Sequence, residues 1–324
     1  MSHPERLSSP GGEPVGTIAE PPHMNGRGSE SLADFAARYG LTRSAARPSL
    51  RRYIAELWQR RTFIWAFASA KTASTYSTSR LGQLWQVLTP LLNAGVYYLI
   101  FGILLDQSRG IKNFPAYLIT GVFVFTFTQR SLTAGAKSIG NNLSLIRALH
   151  FPRASLPFAY VIMELQQLMI SMGVLLVIVL ATSETPSWHW LLIVPALVLQ
   201  LLFNIGISLA IARLGAFVRD IQQLLPFITR TWLYFSGVFF FIPKMVEKFD
   251  HHGHPVIGHI LEANPGSVYI ELMRTSLLET FRHDLVKYDV DYTRLWLYAV
   301  LWAVVAFAGG FWYFYRAEER YGRG

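Results

Sequence analysis

Between Gln86 and Leu105 the chain runs for twenty residues without a charged side chain, long enough to cross the ~30 Å hydrocarbon of a bilayer as a helix. Similar apolar runs return down the sequence. Together they predict an all-α integral membrane protein with six spans at about 86–106, 115–135, 157–182, 188–213, 221–242 and 295–315.

Two stretches depart from this pattern. From Leu50, the residues Leu50, Ile54, Leu57, Trp58 and Trp65 share one helical face, and Arg51, Arg52, Gln59 and Arg60 lie mostly on the other. That division predicts a helix over about 50–66 lying in the membrane interface, and it also suits a helix packed on another subunit. The run Val256–Leu278 is apolar but interrupted by Glu262, Asn264-Pro265-Gly266, Glu271 and Arg274. Each charge would cost about 2.5–3.5 kcal/mol at mid-bilayer. Two short re-entrant helices over about 255–282, broken at Asn264, answer that difficulty, since irregular backbone is tolerated where protein covers it. An external loop with one amphipathic helix fits as well.

Composition sharpens the picture. The 324 residues are 52% hydrophobic and only 15% charged, against about 25% charged in soluble domains. Residues 1–48 are rich in Pro, Gly, Ser and charge, and read as a disordered cytoplasmic tail ahead of one membrane domain over 49–320. The net charge of +9 is unevenly placed. Residues 1–85 carry eleven Lys/Arg against six Asp/Glu, whereas Lys244–Asp291 carries five against eight. With Lys137, Arg147, Arg153, Arg213 and Arg219 in two further connections, this alternation puts both termini in the cytoplasm of a multi-pass plasma-membrane protein and argues against nucleic acid as a partner. No signal peptide is visible, so insertion would rely on the first span.

The absence of cysteine removes thiolate chemistry. No P-loop occurs, Gly135-Ala136-Lys137-Ser138 being too short, and no hydrolase or dinucleotide motif is present. His251, His252, His254 and His259, beside Asp250, are either metal ligands or a solvated loop, and their spacing matches no rigid site. Glu164 in the third span and Arg230 in the fifth form a pair beside a conduit or snorkel to the interface. Tyr97, Tyr98, Trp232, Tyr234, Phe235 and Phe239 could line a path for sugars, whose C–H faces stack on aromatic rings, or serve helix packing.

Two segments carry a family resemblance. Tyr76, Ser79, Leu81, Gly82 and Trp85, followed by Pro90, resemble the entry into the first span of ABC-2-type polysaccharide exporter permeases (Wzm-like). Asn141, Asn142, Leu145, Ile146 and Arg147, then Phe151, Pro152, Arg153 and Pro157, are similar to the cytoplasmic coupling segment of that family, and the Asn264-Pro265 break resembles its re-entrant helices. The resemblance covers residues 50–320, and departs from the pattern at Phe67–Lys71 and in the long tail. Within the family, the closest similarity is to the permeases of actinobacterial galactan export, implying a polyprenyl-diphosphate-linked glycan as cargo. It further implies a homodimer bound to two copies of a separate ATPase, which would hold the ATP and Mg. The coupling helix and the interface helix, through Asn142, Leu145, Ile146, Arg147, Phe151, Pro152, Arg153, Leu57 and Arg61, would meet that ATPase, and spans one and five would line the conduit. Two rivals stay open: an ABC-2 exporter of a drug or small lipid, and a membrane enzyme of polyprenyl-phosphate sugar metabolism.

Overall fold

The computed structural model describes residues 38, 48–76, 82, 84–105, 111, 113–149, 151–218, 220–288 and 290–321. The expected tail apart from residues 38 and 48, together with Ser79, Leu81, Arg219 and Arg323, lies outside the described residues. Every regular element among the described residues is helical. Helix α1 (Leu50–Gln59) leads into α2 (Arg61–Tyr76), then α3 (Leu84–Tyr97, prolonged by a π-helical segment Tyr98–Leu104) and α4 (Phe114–Ser138). A 3-10 turn, Gly140–Asn142, precedes α5 (Leu143–Ala148), followed by α6 (Ser155–Ala181), α7 (Ile193–Phe217) and α8 (Asp220–Phe235). Four helices close the order before the last: α9 (Ile242–His251), α10 (Pro255–Ala263), α11 (Pro265–Leu277) and α12 (Glu279–Val286). The last is α13 (Tyr292–Tyr315).

Among the described residues, four segments are long and apolar enough to cross a membrane: Val87–Leu104, Ser155–Ala181, Trp188–Phe217 and Tyr292–Tyr315. Helices α4 and α8 run between the same two ends of the bundle. One end holds α1 and the C-terminal turn; the other holds α9 to α12. Helix α4 is the axis, in contact with α3, α6, α7, α8 and α11, and most of its side chains are buried. Helix α3 is peripheral, with Leu88, Leu92, Val96, Leu99 and Ile103 exposed as one apolar stripe.

Glycine sets the closest contact. A Cβ on Gly206 of α7 would collide with the backbone of Ala306, and one on Gly310 of α13 with the backbone of Gly206. Small residues at such crossings let two backbones approach and gain dispersion contacts that lipid cannot supply.

Three boundaries differ from the sequence expectation. The interface helix is two helices, breaking at Arg60 and continuing to Tyr76. The fifth span stops at Phe235 instead of 242, because Gly237 turns the chain at φ +71° and Pro243 starts α9. The third difference is that α9 occupies a segment expected to be loop. The break at Asn264 is present: its Oδ1 accepts from Gly266 N at 3.0 Å and from Trp232 Nε1 at 2.8 Å, and its Nδ2 donates to Phe235 O at 3.0 Å. One asparagine thus caps α11 and fastens the end of α8.

Arg274, which the sequence marks as costly, is fully buried. Its Nε donates to Tyr117 O at 3.1 Å, one terminal nitrogen to Gly237 O at 2.8 Å, and the other to Val238 O at 3.1 Å. The guanidinium also lies 3.3 Å from the centre of the Tyr117 ring, a cation–π contact strengthened by the exclusion of water. Replacing Arg274 by Met strands three buried carbonyls, and we expect a loss of about 3–5 kcal/mol. Heating in detergent followed by size-exclusion chromatography measures it: the folded peak should vanish well below the wild-type midpoint, with Arg274→Lys intermediate.

Candidate functional site

Three assemblies of side chains stand out, beginning at the α1 end. Here the segment after α5 is tied to both ends of the described chain. Tyr53 of α1 donates to Glu318 Oε2 at 2.8 Å and accepts from Ala154 N at 3.1 Å. Glu318 Oε1 accepts from Arg153 N at 3.0 Å, and the Arg153 guanidinium donates to the Glu318 carbonyl. Tyr315 donates to Pro48 O at 2.6 Å. Phe63 of α2 packs on Phe151, ring centres 5.6 Å apart. Asn142 is buried, donating to Ser138 O at 2.7 Å and to the Tyr160 hydroxyl at 3.1 Å. A push on α5 therefore has stiff routes into α1, α2, α6 and the C-terminal turn.

This geometry reassigns several residues expected to face the ATPase. Leu57 points inward and is buried, as are Asn142, Ile146 and Pro152, because α1 and α5 each need an apolar face against the bundle. Arg153 spends its side chain on Glu318. Arg147 is exposed, Leu145 and Phe151 are half-buried, and Arg61 is exposed over the Trp58 ring at 5.6 Å. Leu149, which the sequence reading passed over, is an exposed apolar side chain just past α5. The outward face of α1 carries Leu50, Ile54 and Trp58, as an interfacial helix requires.

The second assembly is aromatic and joins α3 to α8. Phe239 stacks on Phe101 with centres 4.2 Å apart, and meets Tyr97 at 4.9 Å and Tyr234 at 5.6 Å. Arg230 and Tyr234 are the ionisable neighbours of Tyr97. Exposed side chains here are Tyr98, Arg230, Tyr234 and Phe235, whereas Phe239 is buried beneath them. Trp232 turns the other way, toward Phe125 and Asn264. The sequence-predicted aromatics thus divide between an open face and packing.

The third assembly is an open cavity of about 440 Å³ between α2, α4, α6 and α8, lined by Thr72, Thr75, Gln129, Arg130, Thr133, Lys137, Glu164 and Gln167 together with Ala134, Met163 and Pro226. It corrects the proposed ion pair. Glu164 lies beside Arg130, while Arg230 projects on the exposed side of α8, so the two do not pair. Arg130 was legible as a charge inside the second apolar run, and its position there was the available signal. Gln166 fastens this wall, donating to Ser69 Oγ at 2.9 Å and accepting from Thr72 Oγ1 at 3.0 Å. At the opposite end the histidines do not converge: His251 sits 3.9 Å from Glu247 and His259 3.6 Å from Glu262. Among the described residues no group of three or more acidic or histidine side chains could hold a metal.

A family model described as "ABC-2 type transporter" matches residues 62–278. The chain belongs to that family. As an ABC-2 permease it is the membrane subunit of a transporter and not an enzyme. It is 28% identical over 189 residues to the O-antigen export system permease protein RfbA of Myxococcus xanthus, covering 58% of this chain and 72% of that one. Two RfbA proteins of Klebsiella pneumoniae are 30% and 29% identical, over 54% and 66% of this chain and 67% and 78% of theirs. The matched region takes in all three assemblies except Pro48, α1, Arg61, the turn at Glu318 and the end of α13. Those parts close the knot around the segment after α5.

Burial raises the pKa of Glu318, opposed by the hydrogen bonds from Arg153 N and Tyr53. A carboxyl with a raised folded pKa binds its proton more tightly folded than unfolded, so its contribution is present at low pH and falls as pH rises through the folded value. We expect the thermal midpoint of the permease to fall over that window and Glu318→Gln to flatten the slope. A midpoint series against pH checks it.

Proposed function

We propose that this permease exports a polyprenyl-linked polysaccharide, a cell-wall galactan, across the plasma membrane as a homodimer driven by two copies of a separate ATPase. The observation that carries the reading is the similarity to three O-antigen export permeases over most of their length. In this reading α3, α4, α6, α7, α8 and α13 are six spans, both termini are cytoplasmic, and the α1 end faces the ATPase, which binds ATP and Mg. Helices α10 and α11 dip into the outer leaflet. Burial of α11 along its whole length supports that placement, since its backbone is then covered by protein. Helix α5, presenting Arg147 and Leu149, receives the stroke. The knot at Glu318 passes it to α1 and α6, and the open aromatic face of α3 and α8 (Tyr97, Tyr98, Tyr234 and Phe235) borders the path.

Depleting the protein in its host distinguishes this reading from its rivals. Complete lipid-linked polymer should accumulate on the cytoplasmic side, at least severalfold over wild type, while surface glycan declines. Loss of the polymer itself would point to a role in synthesis. Unchanged polymer at both locations would point to a drug or small-lipid cargo.

A further inference from the structure

The cavity between α2, α4, α6 and α8 holds two cations, Arg130 and Lys137, against one carboxylate, Glu164. Arg130 and Lys137 are seven residues apart on α4, which puts them on one face and roughly 10 Å apart along the axis. Both side chains are long enough to converge on one guest between them. The hydroxyls around them have acceptors for their protons within the protein: Thr72 has Ala68 O and Gln166 Oε1, each at 3.0 Å, Thr75 donates to Lys71 O at 2.8 Å and Thr133 to Gln129 O at 2.9 Å. What remains to meet a guest is a guanidinium fork and an ammonium, donors that suit the oxygens of a phosphate or diphosphate. Position narrows the source. Arg130 lies eight residues inside the end of α4 at Ser138, roughly 12 Å along the helix, so an anion held there is within reach of a lipid-anchored group. Glu164, beside Arg130, lowers the net charge of the cavity from +2 to +1 and gives the guanidinium a counter-charge when the cavity is empty.

We propose that this cavity seats the diphosphate linkage of the lipid-anchored cargo, with Arg130 and Lys137 binding its oxygens and Glu164 keeping the affinity low enough for release. The proposal rests on the export reading above and adds a site to it.

The test uses the full chain in phosphatidylcholine nanodiscs titrated with farnesyl diphosphate, with phosphatidylglycerol as competitor. Arg130→Gln and Lys137→Gln should each raise Kd about fivefold or more, the loss of one charge-assisted contact. Glu164→Gln should lower Kd about threefold, an effect opposite to that of removing a merely structural carboxylate. Wild-type affinity in both cation variants, or weaker binding by Glu164→Gln, overturns the proposal. Equal displacement by phosphatidylglycerol also overturns it, assigning the cavity to bulk anionic lipid. Should Arg130→Gln fail to fold, Arg130→Lys keeps the charge and loses the fork; its Kd should rise about twofold to threefold, and an unchanged value counts against the site. Cells carrying Arg130→Gln that export glycan normally would remove this site and leave the export reading standing, which the depletion experiment judges separately.

Discussion

A guanidinium enclosed in protein must be given oxygen acceptors or it will not stay folded inside, and the half of this bundle that holds α9 to α12 is arranged around meeting that demand for Arg274. The three carbonyls it takes belong to α4 and to the turn after α8, so α11 cannot shift without disturbing both. Tyr117 reinforces the same turn, its hydroxyl 2.7 Å from Phe240 O and 3.1 Å from Gly237 O. Phe239, held between those carbonyls, presses on Tyr97 and Phe101. The placement of the aromatic face therefore follows from one buried charge. Glu184 plays a related part nearby: its carboxylate accepts from Asn113 at the start of α4 and from Glu279 N and Thr280 at the start of α12.

The two ends of the molecule differ in kind. Arg274 is met by three backbone carbonyls, and Glu184 by two backbone N–H groups with the side chains of Asn113 and Thr280, arrangements that resist small displacements. At the α1 end the ties are between separate segments: α1, the stretch after α5, α6 and the C-terminal turn meet at Glu318. A force applied at α5 would reach several helices there. Between the ends lies the Arg130–Glu164 cavity, bordered by α2 and α8 as well as by the axial helix α4. Motion of α8 against α4 would change the shape of that cavity and of the aromatic face together, because Gln129 Nε2 donates to Thr229 across the two helices at 3.1 Å.

Much of this was legible in the chain. Apolar runs marked most of the long helices within a few residues, since length and hydropathy are local properties, and the run to 242 overshot because Gly237 turns the chain. Asn264-Pro265-Gly266 announced its own break, because asparagine caps and proline starts a helix with no help from afar. Pairings between distant helices were not legible. Glu164 and Arg230 both interrupt apolar runs, yet which faces of α6 and α8 they occupy depends on packing around α4, and that packing puts Glu164 in a cavity shared with Arg130 and leaves Arg230 exposed. Leu57 shared an apolar face with Ile54 and Trp58 in a helical projection, but α1 has two apolar faces and only one of them turns outward. Arg274 looked unaffordable in lipid because its acceptors come from residues 117, 237 and 238.

The account stands or falls on vectorial movement of a lipid-linked glycan by this chain. The direct measurement is reconstitution with the ATPase partner into liposomes carrying radiolabelled polyprenyl-diphosphate glycan, scored by access of an impermeant glycan-modifying enzyme to the far leaflet. Label should become accessible only when ATP is added on the ATPase side and both subunits are present. Accessibility that rises equally without ATP, or without this chain, would contradict the account.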